Sequence, residues 1–279
     1  MHHAAAYRFS TEQLGTLRMC APVCRELASA TEARLVLVRA DDAAHHAGPG
    51  HALDALVDEI DRQKPDLVVM TTGDHAGLRQ ALFGDVADAV VAAGLAPVLL
   101  LRQAVLESST SRTLLGRRLL VPLDGSALAE TALPAALQLA RALHGELILC
   151  KAVVASSAPY AVPEELMTVH DVDVQLAWEP SFDVKAAEAY LSGVVDDLTH
   201  RAPQIVIHTR VQVGELVEQI RALDAAAVAG AEPPIGPIVM ATHGRTGLSQ
   251  ALLGSTAHDV LRATDHLLIV VHPRRAPAV

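Results

Sequence analysis

Short apolar runs alternate with amphipathic stretches along the chain. In the second half, five β-rich runs are typical of strands in a parallel sheet. They cover residues 119–124, 146–154, 204–214, 237–242 and 266–272. Helical periodicity predicts helices over 126–143, 184–199, 215–227 and 255–263, with Ser126 as N-cap, Pro134 as a kink and Gly145 as the C′ residue of the first. This alternation predicts an α/β fold with a doubly wound parallel sheet of the Rossmann-like type.

An internal repeat divides the sequence. The segment 70–84 (MTTGDHAGLRQALFG) aligns without a gap with the segment 240–254 (MATHGRTGLSQALLG), and eight of the fifteen pairs are identical. Each copy follows a β-rich run and precedes a helical stretch and another β-rich run. Because motif and context repeat together, the sequence predicts two tandem domains.

The first copy is shorter than the second. The segment 33–40 (ARLVLVRA) aligns with the segment 145–152 (GELILCKA), but the shift between the copies is smaller here than at the repeated motif. The first copy therefore lacks a segment between its second and fourth strands. Residues 51–62 supply one helix there, and residues 4–9 are a candidate first strand. We expect a degenerate domain over residues 1–105, a linker over 106–116 and a complete domain over 117–279.

Composition narrows the classes of function. The formal net charge is −10, so no global basic field draws the protein to nucleic acid or to anionic lipid. The longest uncharged run, residues 89–101, contains Gly94 and Pro97 and is too short to cross a bilayer. The first residues have no apolar segment of the signal-peptide kind, so we expect a cytoplasmic protein. The three cysteines have no zinc-ligand spacing, and no metal site is predicted.

The second copy of the repeat has the composition of a phosphate-binding loop. Gly244, Gly247 and Gly254 let the backbone approach an anion closely, and the hydroxyls of Ser255 and Thr256 stand at the start of the last helix. A glycine-rich loop can equally serve only as a turn, with Ser255 as a simple N-cap. No nucleophile, base and acid occur in a recognisable catalytic arrangement, so no catalytic residue is predicted.

The same loop carries a family resemblance. ATHGRTGLSQALLGSTAHDVL, between PIVM and HLLIVV, resembles the signature loop of universal stress proteins, and LLVPLDGSALAETAL resembles their opening strand and helix. The nucleotide-binding branch of that family has Gly-x-x-Gly, nine residues, then Gly-Ser or Gly-Thr. Here Gly244, residues 245–253 and Gly254–Ser255 fit, whereas Ala241 replaces the first glycine, and its methyl is expected to crowd a ribose or phosphate.

The resemblance implies a non-catalytic, stress-response module that binds ATP or AMP in its second domain, with Mg²⁺ accompanying the phosphates. The residues that it places around the nucleotide are Pro122, Asp124, Ala152, Met240, Gly244, Gly254, Ser255 and Thr256. Two other functions stay open, a nucleotide-free interaction protein and a slow ATP hydrolase. A nucleotide copurifying with the protein would distinguish the first of these from the leading hypothesis.

The first domain departs from the family pattern. Thr71 and Asp74 replace the two motif glycines, and Asp85 falls where Ser255 stands. A carboxylate at the phosphate position repels the ligand, so we expect no site in this half. The last strand of each copy, residues 96–101 and 266–271, is strongly apolar and needs a partner. We expect the two strands to pair within one chain, with a homodimer of whole chains as a further level of assembly.

Overall fold

The computed structural model describes residues 23–24, 27, 35–39, 51–72, 85–102, 105, 115–153, 181–242 and 255–273. Two α/β units follow each other along these residues. The elements of the first are β1 (Leu35–Arg39), α1 (His51–Gln63), β2 (Leu67–Thr72), α2 (Asp85–Ala93) and β3 (Val98–Arg102). The candidate first strand at residues 4–9 lies outside the described residues.

The second unit is longer and alternates strands with helices as the sequence predicts. Its elements are β4 (Arg118–Pro122), α3 (Ala127–Glu130), α4 (Leu133–Leu143), β5 (Glu146–Val153), α5 (Ser181–Arg201), β6 (Ile207–Val213), α6 (Leu216–Val228), β7 (Ile238–Ala241), α7 (Ser255–Ala263) and β8 (Leu268–Val271). The predicted helix ends of α7 coincide with those observed.

The predicted helix over 126–143 is two helices, α3 and α4. Pro134 lies in the first turn of α4, where a missing N–H costs nothing, and its ring would clash with the carbonyl of a continuous helix one turn earlier. The predicted kink is an interruption of the α-helical hydrogen bonds, and the two residues between α3 and α4 keep helical dihedral angles and bond in the i→i−3 pattern. The chain leaves α4 through His144, which has the left-handed φ of 49°. Gly145 is needed for another reason, because a Cβ there would lie 2.2 Å from the carbonyl oxygen of Arg117.

One eight-stranded sheet contains both units, in the order β1-β2-β3-β8-β7-β4-β5-β6. Neighbouring strands are parallel within each unit, and the two units meet where β3 and β8 pair antiparallel. The prediction that the last strands pair within one chain is confirmed. The pairing covers the apolar edge that each unit would otherwise expose.

The internal repeat is reproduced in the strand register. Val68 lies opposite Val98 in the first unit, and their counterparts in the repeat, Ile238 and Leu268, lie opposite each other in the second. At the junction, Leu99 lies opposite its own counterpart, Ile269. A pseudo-twofold axis therefore passes between these two residues and relates β2, β3 and α2 to β7, β8 and α7.

The place of β1 differs from the sequence alignment. The alignment matches residues 33–40 with β5, but β1 pairs directly with β2, whereas β5 is separated from β7 by β4. Among the described residues, β1 thus has the position of a first strand. The prediction that it takes the place of the second strand is wrong, because similar apolar strands align in sequence whatever their position in the sheet.

Helices cover both faces of the sheet and define two cores. The first core lies under α4 and α5 and contains residues such as Leu137, Leu191 and Val121. The second core lies under α1, α2, α6 and α7 and contains Ile220, Val260 and Ile148. Successive residues of the strands that contribute to these cores point to opposite faces, so their positions can be assigned to one core or the other. Leu115, inside the predicted linker, is buried in the first core.

Candidate functional site

The strand order reverses at β4. The chain runs outward from β4 to β5 and β6, then returns through α6 and places β7 on the other side of β4. In open α/β sheets this reversal opens a crevice at the carboxyl ends of the strands, because the connections leave on opposite faces. The register between β4 and β7 sets Leu120, in the middle of β4, opposite Ile238, the first residue of β7. The carboxyl ends of β4, β5 and β7 therefore frame the candidate site.

Asp124 leads a tight turn just after β4. Its carboxylate accepts a hydrogen bond from the backbone N–H of Ser126 at 2.8 Å. The Ser126 hydroxyl in turn accepts the backbone N–H of Ala129 at 3.1 Å, which confirms Ser126 as an N-cap. Gly125 between them has a φ of 95°, which a side chain would strain. The turn leaves the Asp124 side chain exposed at the edge of the crevice.

Lys151 of β5 reaches the same turn. Its ammonium group donates to the backbone carbonyl of Asp124. The same group lies 5.3 Å from the ring centroid of Tyr190 in α5, within range of a cation–π interaction. The Tyr190 hydroxyl donates to Glu130 of α3 at 2.9 Å. Sequence reasoning missed Lys151, Tyr190 and Glu130, although a lysine inside the apolar run ELILCKAVV was a usable signal.

Burial, hydrogen bonds and neighbouring charges set the protonation states of Asp124 and Tyr190. Burial acts to raise the pKa of Asp124, but hydrogen bonds from Ser126 and the nearby Lys151 outweigh it, so the pKa is lowered. Burial, followed by the hydrogen bond to Glu130 and the negative charges of Glu130 and Asp124, raises the pKa of Tyr190. Asp124 is therefore an anion and Tyr190 a neutral hydrogen-bond donor at neutral pH.

Three other predicted residues stand at the same edge of the sheet. Met240 of β7 is buried in the second core, and the partly buried Ala152 of β5 packs against the same core. Pro122 follows Val121, which faces the first core, so strand alternation directs Pro122 to the second-core side. The structure thus brings Pro122, Ala152 and Met240 to one side of the carboxyl edge, the side on which α7 packs.

The predicted phosphate-binding residues are described only in part. Gly244 and Gly254 lie outside the described residues. Ser255 is the first residue of α7, and Thr256 follows it as an exposed residue. A helix N-terminus at this place offers unpaired N–H groups and a partial positive charge to an anion. In the first unit, Asp85 begins α2 and Thr71 lies in β2, while Asp74 is outside the described residues.

Ala241 has a packing role. Its methyl packs against the first core, whereas Met240 beside it belongs to the second. The predicted ligand residues Ala152 and Met240 lie on the second-core side, so the methyl points away from them. This placement argues against the expected crowding of a ribose or phosphate by the methyl.

The comparison with protein families agrees with this geometry. The model of the universal stress protein family matches residues 25–102 and 116–272. The chain belongs to the universal stress protein family. The two matched segments correspond to the two α/β units, so each unit is related to the same family. A comparison with curated protein sequences finds no match.

The chain is also similar to solved structures, at low sequence identity. A universal stress protein from Archaeoglobus fulgidus is 18% identical, with 79% of this chain and 65% of that chain covered and a TM-score of 0.44. A functionally unknown protein from Pseudomonas aeruginosa is 16% identical, over 97% of this chain and 90% of that chain, with a TM-score of 0.44. A universal stress protein in complex with cAMP is 23% identical, over 56% of this chain and 97% of that chain, with a TM-score of 0.36.

Two further findings concern metal sites and membrane spans. Within the ranges that the structure describes, no group of three or more His, Cys, Asp or Glu side chains is arranged to hold a metal ion. Among the same residues, no helix is long and apolar enough to span a membrane.

Proposed function

We propose that this universal stress protein binds one adenine nucleotide, ATP or AMP, at the carboxyl ends of β4, β5 and β7, and acts as a non-catalytic stress-response module. The observation that carries the proposal is the reversal of strand order at β4, where Asp124 follows β4 and the helix α7 lies between β7 and β8 in sequence. Family membership supports the same choice of site.

Each part of the site suits one part of a nucleotide. The ionised Asp124 is an acceptor for ribose hydroxyls, because its oxygens cannot donate. Ala152, Met240 and Pro122 offer apolar contact to the flat adenine ring. We assign the phosphates to Gly244, Gly254, Ser255 and Thr256, where glycines and a helix N-terminus favour an anion. Any Mg²⁺ would enter with the phosphates, since the described residues provide no carboxylate cluster for it.

The first unit is proposed to lack a site. Asp85 begins α2 where Ser255 begins α7, and a carboxylate there competes with a phosphate for the helix N-terminus. We propose that the degenerate unit, residues 1–105, serves to pair with the complete unit, residues 117–279, across β3 and β8.

The matched glycines of the repeat supply the test. Nucleotide is extracted from freshly purified protein and identified by chromatography, and affinities for ATP, AMP and cAMP are then measured by calorimetry. Gly254→Asp puts a carboxylate at the phosphate position and is expected to weaken binding tenfold or more, about 1.4 kcal/mol. Gly84→Asp makes the same change at the matching glycine of the first copy and is expected to leave affinity unchanged.

The outcomes are distinct. Absence of any bound or titratable nucleotide in the wild-type protein would favour the nucleotide-free interaction protein. Equal losses in Gly254→Asp and Gly84→Asp would place the ligand elsewhere. ATP turnover that disappears in Ser255→Ala would instead identify a slow hydrolase.

A further inference from the structure

Lys151 of β5 follows an apolar run, residues 147–150. Its neighbour Cys150 is buried in the second core, and Leu149 is buried in the first. Strand alternation therefore puts Lys151 on the first-core side of the sheet, facing α5. The proposed ligand residues Ala152 and Met240 lie on the second-core side. Lys151 thus approaches the Asp124 turn from behind, as seen from the ligand.

Two contacts hold the lysine side chain, one to the turn after β4 and one to α5. Its ammonium group donates to the Asp124 carbonyl after β4, and a Cβ on Gly125 would lie 3.1 Å from it. It also lies against the ring of Tyr190 in α5, whose hydroxyl is anchored on Glu130 of α3. Fixing a long, flexible side chain in this way loses rotamer entropy, which the hydrogen bond to Asp124 and the contact with Tyr190 must offset.

We propose that Lys151 is a positioning residue, which fixes the Asp124 turn so that the carboxylate meets the hydroxyls of a ribose. The proposal rests on the proposed nucleotide site and adds a preference for ribonucleotides over deoxyribonucleotides. Lys151 uses the backbone carbonyl of Asp124 and so leaves the carboxylate itself to Ser126 and the local backbone. A carboxylate has about four lone-pair sites, so this exposed group can still accept a hydroxyl from the ligand.

Electrostatics strengthens the same role. The titratable groups near Asp124 are the Lys151 ammonium of β5 and, behind it, the Glu130 carboxylate of α3 and the neutral Tyr190 phenol of α5. The hydrogen bonds from Ser126 lower the pKa of Asp124 most, and the positive charge of Lys151 lowers it further. Removing its charge therefore affects both the position of Asp124 and its protonation.

The test compares Lys151→Met, which keeps most of the aliphatic stem, with Lys151→Arg, which keeps the charge. Lys185→Met, an exposed position on α5, controls for loss of a lysine charge. Affinities for AMP and for its 2′-deoxy and 3′-deoxy analogues are measured by calorimetry. We expect Lys151→Met to weaken AMP binding about tenfold and to abolish discrimination against at least one analogue. Lys151→Arg should regain most of the loss, and Lys185→Met should match wild type.

A second readout needs no nucleotide. The carboxyl carbon of Asp124 is titrated by NMR in each variant, and Lys151→Met should raise the titration midpoint whereas Lys185→Met should not. Wild-type affinity and ribose discrimination retained in Lys151→Met would overturn the inference. If the wild-type protein bound no nucleotide, the proposed function would fail. An unchanged Asp124 midpoint in Lys151→Met would then overturn the Lys151 role as well.

Discussion

At the scale of single residues, the site depends on contacts between distant parts of the sequence. Asp124 could be predicted because it follows a buried strand and carries the family resemblance. Lys151 and Tyr190 could not, because only the pairing of β4 with β5 and the packing of α5 bring them to the Asp124 turn. A sequence shows which residues follow a strand, but it does not show which residues distant in sequence are brought next to them by the fold.

The lowered pKa of Asp124 gives a prediction on pH. A carboxylate whose pKa is lower in the folded state contributes stability above its unfolded pKa, and that contribution is lost as pH falls through the folded value. Between pH 8 and 5 Asp124 stays ionised, so nucleotide affinity measured by calorimetry should be constant with respect to this group. Asp124→Asn should lower affinity about tenfold across that range. An affinity loss in the wild type between pH 7 and 5, absent from Asp124→Asn, would show that Asp124 titrates higher than we infer.

Ala241 offers a test of packing against crowding. Its methyl packs in the first core, so Ala241→Gly removes that contact and adds backbone freedom, at a cost of about 0.5–1 kcal/mol in stability. We expect a lower melting temperature with unchanged AMP affinity. Tighter binding in Ala241→Gly would show instead that the methyl crowds the ligand, as the family motif alone suggests.

At the scale of elements, most helices and strands could be predicted from the sequence, but the sequence did not always predict which strands lie side by side in the sheet. Apolar runs and caps located the elements of the second unit. Pro134 was expected to kink one helix, and the structure has two shorter helices, α3 and α4, at this place. The position of β1 was not accessible to the same reasoning. A strand's apolar pattern states that it is buried, while its place in the sheet depends on the connection that precedes it.

The junction of β3 and β8 can be tested as an element. Leu99 and Ile269 lie opposite each other and are both buried in the first core. Leu99→Ala and Ile269→Ala should each lower the free energy of unfolding by about 2–5 kcal/mol. Because both remove the same contact, the double variant should lose less than the sum of the two. Strict additivity in urea unfolding would mean that the two units do not support each other through this pair.

At the scale of the whole molecule, one chain reproduces the symmetry of a pair. The internal repeat predicted two related units, and the register of β2 with β3 recurs at the matching positions of β7 and β8. The two halves have nevertheless diverged at the loop that follows β2 and β7. Asp85 at the start of α2 and Ser255 at the start of α7 show why a symmetric fold is expected to hold a single ligand.

The stoichiometry of nucleotide binding tests this account most directly. The full chain, first freed of any copurified nucleotide, is titrated with AMP and with ATP in a calorimeter, with protein concentration fixed by amino-acid analysis. We predict one site per chain, lost in Gly254→Asp and retained in Gly84→Asp. Two equivalent sites per chain, or one site that survives Gly254→Asp, would contradict the assignment of the nucleotide to the second unit.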